Sequence, residues 1–190
     1  MSKLVLVTGN PGKAGEIASV LRGYDVEIET VEVDLSERRA DGVEEIAREK
    51  ALEARQHVGR PLIVDDTGLF LEAYPDFPGA QSKWVVQRIG LDGIFRLLEG
   101  RSRAAYFKTA VAFAEPAGRP QVFTGVVEGE LRAERGPDSE PSLPYDPAFA
   151  PQEGGGRVYS EMELEEKLAH SSRARAVRAF AEWWLERATR

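Results

Sequence analysis

The sequence predicts an α/β fold on a mixed β-sheet. Three observations carry this. Short apolar runs alternate with helical periodicity in the first 65 residues. A long alternating pattern doubles back on itself in the middle, and helical periodicity returns at the C-terminus. Strands separated by helices call for parallel pairing, and a hairpin adds antiparallel pairing.

The elements follow in order. Lys3-Leu4-Val5-Leu6-Val7 is a buried strand. Pro11 to about Leu21 is a helix with Ala14, Ile17, Ala18 and Leu21 on one face. Residues 25–34 alternate as a strand with one wet face. Asp41 caps a helix running to about His57, with Val43, Ile46, Ala47, Ala51 and Ala54 as its apolar stripe. Pro61-Leu62-Ile63-Val64 is a short buried strand ending in Asp65-Asp66-Thr67-Gly68. Residues 69–80, with Pro75, Pro78 and Gly79, read as loop. Helices follow at about 81–89 and 92–99. Residues 103–114 and 121–134 form a long hairpin across a turn at 117–120. Residues 135–157 are rich in Pro and Gly and read as a long loop. Ser160 with Glu163 is a capping box opening a helix to about Leu168. Ser171 or Ser172 caps the last helix, whose face is Val177, Phe180, Ala181, Trp184 and Ala188.

Composition excludes several chemistries. The chain has 190 residues and no cysteine, so disulfides, thiolate nucleophiles and zinc ribbons are out. His57 and His170 are the only histidines, which excludes a histidine-rich metal site. The net charge of −7 does not invite nucleic acid. No apolar run is long enough to span a membrane. These features predict a soluble, cytoplasmic, single-domain protein with no nucleic-acid or membrane partner.

Two compositional oddities point to a site. Asn10 is the only asparagine, and the chain carries six lysines against 19 arginines. Asn10 sits in Thr8-Gly9-Asn10-Pro11-Gly12-Lys13, between the first strand and the first helix. It suits an N-cap, and Pro11 suits the first helical position. A helix N-terminus flanked by glycine and lysine attracts an anion such as phosphate. The turn is not a Walker A loop, because two residues separate its glycines and Ala14 follows the lysine. A plain helix cap is the competing reading.

Asp65 and Asp66 at a strand end are poor core residues unless paired. If the strand continues, they point to opposite sides. One suits a hard cation and the other a set of hydrogen bonds; an Asx-type turn is the alternative. Lys50 shares a helix face with Ile46, so it either snorkels out of the core or reaches a phosphate. Glu37 is one charge of an acidic-basic loop, and nothing in its surroundings singles it out.

Together these motifs resemble the inosine triphosphate pyrophosphatases, which act on non-standard purine nucleotides such as ITP, dITP and XTP. The likeness covers nearly the whole chain. It rests on Thr8–Lys13 with Glu16, on Asp65-Asp66-Thr67-Gly68-Leu69, and on Phe77-Pro78-Gly79-Ala80-Gln81-Ser82-Lys83-Trp84. Tyr145-Asp146-Pro147-Ala148-Phe149, and Glu166-Lys167 with Ser171 and Arg173, complete it.

The resemblance implies hydrolysis of a nucleoside triphosphate to the monophosphate and pyrophosphate. It also implies a homodimer, and a long curved mixed sheet in two lobes with a central nucleotide-binding cleft. By position, Asp66 would be the general base and, with Glu37 and the adjacent Asp65, a magnesium ligand. Thr8, Gly9, Asn10 and Gly12 would line the phosphate turn. Lys13, Lys50, Lys83 and Lys167 would hold the phosphates or the nucleotide. Asp146 and Arg173 would face the nucleoside, with Thr67, Tyr145 and Ser172 as further substrate contacts. Two departures fall in the base pocket: Leu143 stands where the family has a stacking Phe, and Ser172 where it has His. A pyrophosphatase of different base preference, or a nucleotide-binding module without turnover, are the alternatives.

Overall fold

The computed structural model describes residues 3–36, 40, 42–138 and 142–188. One strand in from the sheet edge lies β1 (Leu4–Val7), four residues that are all buried. The chain then turns into α1 (Pro11–Arg22) and returns as β2 (Ile28–Val31), parallel to β1. Next, α2 (Val43–Val58) leads to β3 (Leu62–Leu71), parallel to β1 on its other side. The rest of the sheet is antiparallel. β4 (Tyr74–Gly79) folds back on β3 and leads into α3 (Ser82–Leu97). β5 (Ala104–Ala114) pairs β3 along its whole length, β6 (Gln121–Leu131) pairs β5, and β7 (Phe149–Pro151) pairs β6. A 3-10 turn at Tyr159–Glu161, α4 (Leu164–Ala169) and α5 (Ser172–Ala188) complete the chain. The strand order is β2-β1-β3-β5-β6-β7, with β4 off the path beside β3.

Alternation along the strands sorts side chains between the two faces. Leu4, Leu6, Ile63, Val111 and Phe113 pack against Ile17 and Leu21 of α1 and Val177 and Phe180 of α5. Val5, Val7, Leu62, Val64 and Ala112 pack against Val43, Ala47, Ala51 and Ala54 of α2. A third apolar cluster gathers Leu69, Leu71, Ile94, Leu98, Leu131 and Phe149. Asp65, Asp66 and Thr67 lie on the stretch of β3 between its contributions to these clusters.

Several expectations change. The third strand does not stop at Val64. It runs through both carboxylates to Leu71, because β5 pairs it residue by residue from Leu62↔Ala114 to Leu71↔Ala105 and satisfies its backbone groups. Part of the expected loop at 69–80 is β4, and β7 lies inside the expected loop at 135–157. The expected strand at 25–34 narrows to Ile28–Val31, and β6 ends at Leu131 rather than 134. The two helices expected near 81–99 are present within α3, separated by Gly90, whose φ is 65°.

The Ser160–Glu163 capping box does not form. Glu163 itself occupies the N-cap of α4, and the buried Ser160 Oγ has no hydrogen-bond partner. Instead the Glu161 carboxylate accepts the Val158 N–H at 2.9 Å. Ser171 is the cap of α5, its Oγ accepting the Ala174 N–H at 3.3 Å. The N-cap position of α2 is Gly42, and Asp41 lies outside the described residues. No helix among the described residues is long and apolar enough to cross a membrane.

Candidate active site

β1 ends at Val7, one residue beyond the Leu6↔Ile63 pair at the start of β3, and hands the chain to the turn before α1. Asn10 caps that helix. Its Oδ1 accepts the Lys13 N–H at 3.0 Å, and its own N–H donates to Thr8 Oγ1 at 3.2 Å. Pro11 takes the first helical position. The helix N-terminus opens on a cleft of about 910 Å³. Thr8, Gly9, Asn10, Lys13, Lys50, Asp65, Asp66, Thr67, Lys83, Tyr145, Asp146, Lys167, Ser172 and Arg173 all line it. Gly12 does not line the cleft; it packs against Leu143 beside the turn. Glu37 lies outside the described residues.

Because β3 continues, its adjacent carboxylates face opposite ways. Asp65 faces α1 and α5. Its Oδ2 accepts Lys13 Nζ at 2.9 Å and Arg173 Nε at 3.1 Å. Burial pushes the pKa of Asp65 up, but the Lys13 and Arg173 charges outweigh it and hold the carboxyl well below the usual carboxylate range.

Asp66 faces α2. Its Oδ1 accepts Lys50 Nζ at 2.5 Å, while its Oδ2 is buried with no partner. Here burial dominates and raises the pKa. Lys50 and Lys13 oppose the rise without cancelling it, and the Asp65 charge adds to it. Two neighbouring carboxylates are thereby shifted in opposite directions. Such divergence marks an acid–base site.

The C-terminal wall is a buried ion network. Lys167 Nζ lies 2.6 Å from both Glu16 Oε1 and Asp146 Oδ2. Arg173 donates from Nη1 to Glu16 and from Nη2 to Thr67 Oγ1 at 3.2 Å. Burial raises the pKa of Asp146, against Lys167 and the Leu143 N–H that donates to it at 2.8 Å. Burial raises the Glu16 pKa less than Arg173 and Lys167 lower it, so it lies below its ordinary value. Tyr145 donates its hydroxyl to Ser82 O at 2.9 Å, tying this wall to α3. Lys83 lines the cleft from the first turn of α3 and makes no ion pair among the described residues.

Four of the six lysines therefore gather in one cleft. Three of them are engaged by carboxylates of the site itself, and Lys13 and Lys50 hold Asp65 and Asp66, whose pKa values shift in opposite directions. Arg173 and Lys167, expected at the nucleotide, spend most of their donors on Asp65, Glu16 and Asp146.

Two participants were not assigned a role from the sequence. Glu16 joins Arg173 to Lys167 at one carboxylate. Its signal was available: a charged residue one position before the apolar Ile17, on a face otherwise used for packing. Thr109 touches Thr67 and Ser172 across the sheet, and nothing in its local sequence singles it out.

Among the described residues no three metal-ligating side chains cluster. The unpartnered Oδ2 of Asp66 is the hard oxygen donor best placed to hold a divalent cation. Asp65 is less suited, because its Oδ2 already accepts two cationic donors.

Known proteins align with this chain over nearly its full length. A sequence model described as the Ham1 family matches residues 4–183. A protein of Methanopyrus kandleri named dITP/XTP pyrophosphatase is 42% identical over 183 residues, covering 96% of each chain. One of the same name from Thermococcus kodakarensis is 40% identical over 185 residues, covering 97% of this chain and 98% of the other. The solved structure of a HAM1 protein from Coxiella burnetii superposes with a TM-score of 0.80 at 28% identity, covering 98% of this chain and all of that one.

Proposed function

The chain belongs to the Ham1 family, and from that premise we propose that it hydrolyses non-standard purine nucleoside triphosphates, ITP, dITP and XTP, to the monophosphate and pyrophosphate. Such turnover clears deaminated purines from the nucleotide pool. The observation that carries the reading is the carboxylate pair on β3, with one member held ionised beside the phosphate turn and the other raised in pKa and carrying a free buried oxygen.

In this reading the triphosphate lies across the N-terminus of α1, with Lys13, Lys50 and Lys83 around its oxygens. A water approaches the α-phosphorus. Asp66 Oδ2 takes its proton as the new P–O bond forms and the bond to the bridging oxygen breaks, releasing pyrophosphate. Lys50 and Lys13 each donate to one carboxylate and, with three donors on each ammonium, have others left for phosphate oxygens. Positioning and charge neutralisation supply most of the acceleration in such reactions.

Magnesium is the proposed cofactor; Glu37, outside the described residues, would hold it, and Asp66 would face it across the attacking water, which keeps Oδ2 available for the proton. When bound it would offset phosphate charge. The proposal includes a cytoplasmic homodimer acting on small molecules; sedimentation equilibrium tests the dimer.

Base preference has a second reading. Leu143 and Ser172 stand where the resembling family has Phe and His, and the Ser172 hydroxyl is engaged by Thr109 at 2.9 Å. A site that hydrogen-bonds a 6-keto group rejects adenine by about 10⁴-fold; a site lacking one such partner discriminates less. The test is a panel of ITP, XTP, ATP, GTP and pyrimidine triphosphates with magnesium, scoring monophosphate and pyrophosphate. Preference for ITP and XTP supports the proposal. Turnover confined to other bases supports the second reading. Binding without turnover of any of them overturns both.

A further inference from the structure

Thr109 is an odd residue in its strand. Its neighbours on the same face of β5, Phe107 and Val111, are apolar, and Thr109 itself is fully buried. Its hydroxyl oxygen lies 2.9 Å from Thr67 Oγ1, its register partner on β3, and 2.9 Å from Ser172 Oγ at the start of α5. Valine would fill the same space on a strand with better apolar match. What threonine adds is one hydroxyl, placed where it joins two others.

The joined hydroxyls lead to the site. Arginine only donates, so Thr67 Oγ1 is the acceptor of Arg173 Nη2 at 3.2 Å. Arg173 Nε in turn fixes Asp65 Oδ2, the atom that also accepts Lys13 Nζ at 2.9 Å. An unbroken path of hydrogen bonds therefore runs from Thr109 through Thr67, Arg173 and Asp65 to the lysine of the phosphate turn. Ser172 ties the same path to the backbone residue that precedes Arg173. Buried polar networks of this kind hold their members in one arrangement only while every link is satisfied.

We propose that Thr109 is a positioning residue for the triphosphate hydrolysis proposed above, acting through Thr67 and Ser172 on the Arg173 guanidinium, and through Asp65 on Lys13. The inference rests on that reading of the cleft. It carries a distinctive consequence. Because the path ends at the phosphate turn, loss of the Thr109 hydroxyl impairs ITP and XTP, whose bases share the 6-keto edge, by the same factor.

The experiment compares wild type with Thr109→Val and Thr109→Ser. Two readouts are taken: kcat/KM for ITP and XTP, and the ¹H–¹⁵Nε resonance of Arg173, assigned by its loss in Arg173→Lys. Thr109→Val is expected to lower kcat/KM for both nucleotides by up to about 10²-fold, the cost of a misplacement of about 1 Å. It is also expected to shift or broaden the Arg173 resonance, and Thr109→Ser to restore both. An unmoved resonance in Thr109→Val, or a Thr109→Ser variant as impaired as Thr109→Val, overturns the proposal. Should Thr109→Val not fold, Thr109→Ala removes the same hydroxyl and is read the same way. Should wild type hydrolyse no triphosphate, the functional reading fails, and the resonance still decides the role of Thr109.

Discussion

Lys50 Nζ sits 2.5 Å from Asp66 Oδ1 and leaves Asp66 Oδ2 buried and unpartnered. One oxygen of the carboxylate is thus anchored and the other is free. A general base needs this division, since the anchored oxygen fixes orientation while the free one receives the proton.

Asp66→Asn keeps the shape and removes the base. Turnover of ITP is expected to fall at least 10³-fold, within the range general bases contribute, while ITP still binds by calorimetry. Near-wild-type rates would remove Asp66 from that role.

Lys50→Met tests the anchor. Lys50 is the largest influence lowering the pKa of Asp66 against burial. Without it the carboxyl is protonated up to a higher pH, and the base is active only when ionised. The acidic limb of the kcat/KM–pH profile with ITP is therefore expected to move to higher pH. An unmoved limb would show that Lys50 does not set the protonation of the base.

Asp65 carries a stability signature of opposite sign. Its folded pKa is depressed, so the stability it contributes is fully present above the ordinary unfolded value of about 3.9 and is lost as pH falls below that toward the folded value. Asp65→Asn strips a buried arginine and a half-buried lysine of their carboxylate, costing about 3 kcal/mol at neutral pH. Urea denaturation at pH 7, 5 and 3 is expected to show this difference shrinking at the lowest pH. A constant difference would contradict the assignment.

Gly125 lets α5 dock on the sheet. A Cβ there would fall 2.2 Å from Ser172 O and 2.7 Å from Ala176 N, both backbone atoms. Gly125→Ala must push back the first turn of α5, which carries Arg173. A loss of about 3 kcal/mol, at the high end for overpacking, with a parallel fall in kcat/KM, is expected from thermal melts and ITP kinetics. Unchanged activity would mean that the placement of α5 does not govern the site.

Much of this was legible residue by residue. The N-cap role of Asn10 follows from local chemistry, since its partner is three residues away. The strand and helix faces follow from periodicity. The opposed directions of Asp65 and Asp66 follow from the two-residue period of a strand, once the strand is known to continue. That continuation was not legible, because pairing with β5, distant in sequence and running from Asp65↔Val111 to Leu71↔Ala105, decides it. Glu16 and Thr109 were missed for the same reason: their partners, Arg173 at one and Ser172 at the other, arrive from the far end of the chain. Ser160 misled because a short polar spacing matched a cap whose geometry a 3-10 turn had already taken.

The central claim is that water attacks the α-phosphorus of a non-standard purine triphosphate with Asp66 as base. It is tested most directly by hydrolysing ITP with magnesium in ¹⁸O-enriched water and weighing the products. The account predicts IMP carrying one ¹⁸O and unlabelled pyrophosphate in equal amounts. Label in the pyrophosphate, or release of orthophosphate with IDP, would contradict it.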